Sequence, residues 1–292
     1  AVPLYTDIGL MYYRKDIIQK LSHSARLEKK LKESITWEEM IALHGRMSDT
    51  GNPFYVYPAN NYEGLICSFV ELLAGADQAI FQGDSVYLNT PRAHKSLTLL
   101  KDLIHKYHLT PPEVVNFDEY KCYLFALEND GIFLRGWPGF LRHYRNLVED
   151  TSKFGKFGIA ALPHFKDSSP VSVIGGWNLM VSKFSNKKRE ALEFIKFALQ
   201  QKSQELLYDE GGFIPVRLSV YQDTAFLKHH QQLKYYRQLL ERGIHRPMME
   251  DYTRFSDIIS YYVHLAIKGE VSVDAALKEA TRLINEQKYV IK

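Results

Sequence analysis

Short runs of strand-forming residues alternate along this chain with capped, amphipathic helical segments, and that alternation restricts the fold more than any other feature. Residues 2–13 are rich in Val, Ile and Tyr and read as one strand with Gly9 inside it. Residues 15–31 are basic and helix-prone. Thr36-Trp37-Glu38-Glu39 has the spacing of a capping box, in which hydroxyl and carboxylate satisfy each other's orphan backbone donors, and predicts a helix to about residue 47. A strand is expected over 54–58 and a helix over 62–73, ending near Gly75. Thr90-Pro91 opens another helix, since Pro at the first position loses no needed donor. Leu100, Leu103, Ile104 and Tyr107 continue it with helical spacing until Pro111-Pro112. A helix over 117–127 and strands over 131–134, 158–162 and 177–181 follow. Ser185 is the expected N-cap of a helix whose apolar stripe is Ala191, Phe194, Ile195, Ala198 and Leu199, and Ser272 caps the last one. Strands separated by helices predict an α/β fold with mainly parallel pairing.

At 292 residues, the chain is long for a single core, and two lobes are expected. Its net charge of +3 comes from scattered basic residues, which gives no electrostatic footprint for nucleic acid. Cys67 and Cys122 are too few for a disulfide framework or a zinc site; two buried free thiols are favoured over one bridge. No apolar run approaches the ~20 residues of a membrane span. GxSxG, HExxH, GxGxxG and Walker signatures are absent, and the eleven His residues show no ligand spacing. The sequence therefore predicts no catalytic residue, no metal and no cofactor.

Aromatic usage is high, with 19 Tyr, 16 Phe and 3 Trp. Four clusters set an aromatic face beside a polar planar group: Tyr5-Thr6-Asp7, Asn60-Asn61-Tyr62-Glu63, Arg135-Gly136-Trp137-Pro138 and Gly175-Gly176-Trp177-Asn178. A pyranose has the matching surface, with C–H patches on its faces and a rim of hydroxyls that donate and accept. Stacking grips the faces, and amides, carboxylates and guanidinium fix the rim. Gly175 and Gly176 are expected to clear space so that Trp177 presents a flat wall. The enzyme alternative is a carbohydrate hydrolase using Asp7 and Glu63, which needs its carboxyl groups roughly 5–10 Å apart. A third reading is a sensor domain that presents these aromatics as a flat protein-binding patch.

Seven stretches, in order, resemble the extracytoplasmic solute-binding proteins of ABC importers, in the large sugar-binding group that includes maltodextrin-binding protein. They are PLYTDIGLMYYRKDII, TWEEM, GIFLRGWPGF, ALPHF, GGWNLMVSKFSNKKREALEFIKFAL, GGFIPVR and RPMMEDYTRFSDIISYYVHLAIKGEVSVDAALKEA. The resemblance implies a periplasmic-binding-protein-like two-lobe α/β fold and no reaction. It implies a mono- or oligosaccharide held in the interlobe cleft and delivered to transmembrane permease subunits, with the protein a monomer outside the cytoplasm. Residue by residue, it implies contacts from Asp7, from Asn60, Asn61, Tyr62 and Glu63, from Trp137, from Gly176, Trp177 and Asn178, and from Tyr252 and Arg254, where some relatives carry a Trp. Members of the group have roughly a hundred further residues before the PLYTD-like strand. On this basis residues 1–170 form the second lobe, 171–244 a helix-rich remnant of the first, and 245–292 helices returning to the second lobe and hinge. The remnant is expected to expose its apolar stripe, and the gene product to be longer, with a signal or lipoprotein leader. Val2-Pro3 and Val173-Ile174 are the expected hinge segments.

Overall fold

The run at residues 2–13 folds as two strands, not one. In the computed structural model, which describes residues 1–47, 51–74, 81–82, 85–143, 151–248 and 250–288, the break falls at Gly9. The strands are β1 (Val2–Ile8), β2 (Leu10–Arg14), β3 (Tyr55–Val56), β4 (Phe81–Gln82), β5 (Ser85–Val86), β6 (Phe133–Gly136), β7 (Phe157–Ala160), β8 (Ser172–Leu179) and β9 (Gly243–Ile244). One sheet has the order β3-β6-β2-β7 and another β1-β8-β9, while β4 and β5 pair antiparallel with each other. The Gly9 amide donates to the Val173 carbonyl at 3.0 Å, and a Cβ there would lie 2.2 Å from Glu71 Oε1. A side chain at this crossing would displace the Glu71 carboxylate from its bond with Arg135.

This crossing corrects two sequence expectations. Pairing is mixed instead of mainly parallel: β3 runs parallel to β6, while β2 lies antiparallel to both β6 and β7. The parallel rule holds for strands that a helix connects within one sheet. Here β2 arrives from the other sheet and runs against its neighbours. Val2 and Pro3 lie inside the β1–β8 ladder, opposite Leu179 and Asn178, and the backbone passes from one sheet to the other at Gly9 instead of at Val2-Pro3. By the same ladder, residues 2–8 join the sheet of the 171–244 segment and not the larger body.

Local chemistry explains the helices. The Thr36 capping box forms: the Thr36 amide donates to Glu39 Oε2 at 3.1 Å, and the Glu39 amide to Thr36 Oγ1 at 3.2 Å. Thr90 and Ser272 cap as expected, accepting from the amides of Ala93 (3.2 Å) and Ala275 (3.1 Å). Ser185 does not cap. Its hydroxyl accepts from the Lys187 amide within a turn, and the helix begins at Lys188. The helix Glu63–Leu73 ends at Leu73, and the expected stop at Gly75 lies outside the described residues. The helix Tyr252–Lys268 packs on Glu63–Leu73, Pro91–His105 and Val273–Asn285.

Among the described residues, seven of the 19 tyrosines are core residues. Tyr12, Tyr13, Tyr55, Tyr57, Tyr123, Tyr208 and Tyr236 are buried, and Tyr12, Tyr123, Phe140 and Phe157 interlock ring against ring. Cys67 and Cys122 are buried free thiols, and burial pushes the Cys67 thiol up to about 12, leaving it protonated. In the smaller body Ile195 and Ala198 of the expected stripe are buried, whereas Phe194, with Leu192 and Phe197, faces solvent. Among the described residues no helix is long and apolar enough to cross a membrane.

Candidate functional site

Strand pairing brings three of the four aromatic–polar clusters together. In the β1–β8 ladder Tyr5 faces Trp177, Thr6 faces Gly176 and Asp7 faces Gly175. The end of β6 delivers Trp137 beside them. Tyr5, Asp7, Glu119, Trp137, Trp177, Phe213 and Arg246 line one open cleft of ≈ 570 Å³, with Gly175 and Gly176 in its floor. Trp177 is 68% exposed, although apolar burial is the usual fate of such a ring.

The two glycines allow a close strand contact. Gly176 has φ +131, and a Cβ on it would lie 2.5 Å from the Tyr5 carbonyl oxygen. A Cβ on Gly175 would press on the Trp137 ring at 3.2 Å and on Asp7 Cβ at 3.3 Å. Both residues therefore let β8 lie flush against β1 and Trp137, with the Trp177 ring left standing in the cleft.

Trp137 is held on every side but one. Its Nε1–H donates to Glu119 Oε1 at 3.2 Å, its amide to Tyr123 Oη at 3.0 Å, and its carbonyl accepts from the Tyr12 hydroxyl at 2.8 Å. The Arg135 guanidinium stacks on the ring at 4.2 Å from its centroid. Arg135 is itself 1% exposed and bonded to Glu71, through Nη2 to Oε1 at 2.9 Å and Nε to Oε2 at 3.3 Å. Glu71 Oε1 also accepts from the Val173 amide at 3.2 Å. A buried ion pair thus joins the ring to the crossing strand. Tyr5 and Phe213 pack at 4.4 Å on the other rim.

Burial lifts the Asp7 carboxyl to about 7, against smaller lowering effects from the Ile8 amide and the Arg135 charge. Burial, and the nearby Asp7 charge, push the Tyr5 hydroxyl up to about 12, so it stays a proton donor. The cleft therefore offers flat rings, a cation, and the carboxyl groups of Asp7 and Glu119.

The remaining predicted site residues lie elsewhere. Asn61, Tyr62, Glu63 and Tyr252 line a neighbouring cleft of ≈ 650 Å³, and Arg246 borders both. There Glu63 accepts from Arg246 Nη1 at 2.5 Å, from the Tyr252 hydroxyl at 2.6 Å and from the Ser256 hydroxyl. The Tyr62 hydroxyl donates to Glu119, and Asn61 Oδ1 accepts from Ser260 Oγ at 2.9 Å. Asn60 bonds the Asn61 amide at 2.8 Å and borders neither cleft, and Asn178 is exposed beyond the first. Arg254 is buried. Its guanidinium donates to the Ile284 carbonyl at 3.2 Å and the Lys288 carbonyl at 3.3 Å, which ties two C-terminal helices together and corrects its expected place in the cleft. Sequence reasoning missed Glu119, Phe213 and Arg246, which carry no local signature: one opens a helix and two lie in connecting segments.

Comparison with known proteins identifies the family and the fold. The sequence profile of the bacterial extracellular solute-binding protein family matches residues 1–234. A probable ABC transporter-binding protein of Deinococcus radiodurans is 26% identical over 283 residues, which is 95% of this chain and 66% of that protein. The maltose-bound structure of MalE3 from T. maritima superposes with TM-score 0.88 at 28% identity, over 98% of this chain and 72% of the other. A solute-binding protein of Thermotoga lettingae bound to α-D-tagatose shares the fold, with TM-score 0.82 at 22% identity over 98% and 71%. The chain thus spans about two thirds of the length of the Deinococcus relative. With four-fifths of its length inside the family profile, the chain belongs to the bacterial extracellular solute-binding protein family.

Proposed function

We propose that this chain is the ligand-gripping part of an ABC-importer receptor, working outside the cytoplasm, which captures a saccharide and hands it unaltered to permease subunits. The observation that carries the reading is that Trp137, just after β6, and Trp177, in β8, line one cleft with Asp7, Glu119 and Arg246. Rings supply faces for the sugar, and the charged groups fix its hydroxyls. Maltose in the MalE3 structure and tagatose in the second neighbour support the ligand class. Closure is proposed at the Gly9 and Val173 crossings, where the larger and smaller bodies join and the bound state is selected. On this reading residues 9–170 and 245–292 are one lobe, and 171–244, with the strand at 2–8, belong to the other.

Hydrolysis by Asp7 and Glu63 loses support. The two carboxylates border different clefts, and Glu63 is occupied by a guanidinium and two hydroxyls. A flat protein-binding patch is also disfavoured, because the rings line a concavity. Titration calorimetry with maltose and longer maltodextrins, followed by chromatography of the recovered glycan, tests the proposal. Saturable binding with intact sugar is expected; no binding of any glycan, or cleaved product, sinks it.

A further inference from the structure

Arg135 lines a third, much smaller cavity, separate from both clefts. It measures ≈ 20 Å³ and is bordered by Trp37, Tyr55, Tyr57, Ser68, Glu71 and Arg135 among its polar residues. Two donors of this lining, Trp37 Nε1 and Arg135 Nη1, have no acceptor among the described residues, and their side chains belong to residues only 4% and 1% exposed. Nearly all buried N–H groups in folded proteins find a partner, so two orphan donors on residues that line the same cavity call for an occupant. The lining also offers acceptors. Tyr57 Oη gives its proton to the Leu100 carbonyl at 3.2 Å and Ser68 Oγ gives its proton to the Gly64 carbonyl at 3.4 Å, which leaves lone pairs on both oxygens.

We infer that this cavity is a binding site for one water molecule, which accepts from Trp37 Nε1 and Arg135 Nη1 and donates to the oxygens of Tyr57 and Ser68. A buried water needs about 10–15 Å³ and two to four polar partners, and the cavity meets both conditions without room for a second molecule. A halide would suit the two donors as well. Electrostatics decides between them: Glu71 already neutralises Arg135 and lines the same cavity, so an anion would add an uncompensated charge beside a carboxylate in a dry interior. A neutral occupant that both accepts and donates fits the lining. It completes the donor set of the guanidinium on which Trp137 rests, so the water is part of the support for the cleft wall.

A crystal structure that resolves ordered solvent is expected to show one peak within about 3 Å of both nitrogens. Crystals soaked in bromide are expected to give no anomalous signal at that position. An empty cavity, or bromide inside it, overturns the assignment. In solution, indole-15N labelling gives three tryptophan Nε1–H resonances, one for each Trp in the chain. That of Trp37 is assigned by its loss in Trp37→Phe or, should that variant not fold, by elimination with Trp137→Phe and Trp177→Phe. A cross-peak from it to long-lived water is expected, and absence of the cross-peak overturns the proposal. Neither measurement involves a sugar, so the result stands apart from the ligand reading.

Discussion

Trp177 and Trp137 are the same residue type put to opposite mechanical use. Trp137 is clamped by Glu119, Tyr123, Tyr12 and Arg135, whereas Trp177 stands 68% exposed on β8. Removing an exposed ring costs the fold little, because it buries little apolar area there. Trp177→Ala is therefore expected to weaken saccharide binding more than tenfold in calorimetry while leaving the thermal midpoint unchanged. A dissociation constant equal to that of the parent refutes its place in the binding wall. Asp7 makes a second prediction at this scale. Its folded pKa is raised to about 7 from an ordinary carboxylate value near 3.8. The folded chain holds that proton where the unfolded chain releases it, so this group's contribution to stability is present at low pH, declines as pH rises, and is lost above about 7. Binding should run the other way. An ionised carboxylate accepts sugar hydroxyls more strongly than a neutral acid, so affinity is expected to rise between pH about 6 and about 8. Asp7→Asn, which cannot ionise, is expected to flatten that profile; an unchanged slope in the variant assigns the titration to another group.

At the scale of the element, the ladder between β1 and β8 builds the floor of the cleft, and Gly176 is its tightest point. A side chain there meets both a disfavoured φ of +131 and the Tyr5 carbonyl. Gly176→Ala is expected to lower unfolding free energy by at least about 1–2 kcal/mol, read by urea denaturation. No loss would mean that the ladder shifts freely at this position. Element identity was largely legible in the sequence, since caps such as Thr36, Thr90 and Ser272 act within a few residues of themselves. Partners in space were not. Nothing in a period-2 pattern marks Gly9 as a crossing between sheets, because that depends on Glu71 and Val173, distant in the chain. The site shows the same division. The Trp137 and Trp177 clusters were visible as aromatic–polar neighbours, but Glu119 reads as an ordinary acid in a first helical turn. Its carboxylate is claimed by Trp137 and Tyr62 only after folding. Arg254 failed for the converse reason: its neighbours in sequence suggested a wet groove, while the helix register turned it into the core.

Across the whole molecule, the Arg135–Glu71 pair is the point where the larger sheet, the smaller sheet and the cleft wall meet. Arg135 lies in β6 under Trp137, and Glu71 accepts from Val173 at the start of β8 while its oxygen fills the space over Gly9. Both side chains are almost wholly out of water, at 1% and 6% exposure. A pair so buried adds little net stability over a well-packed apolar replacement, yet breaking it leaves one charge stranded. Arg135→Met strands the Glu71 carboxylate and is expected to cost about 3–5 kcal/mol in urea denaturation. The double variant Arg135→Met, Glu71→Met removes both charges and is expected to regain most of that loss. Sugar affinity should not return with it, since the cation beneath Trp137 and the acceptor for Val173 are both gone. Recovery of stability without recovery of binding separates a pair kept for the alignment of wall and crossing from one kept for the fold. Recovery of both would reduce the pair to a packing element.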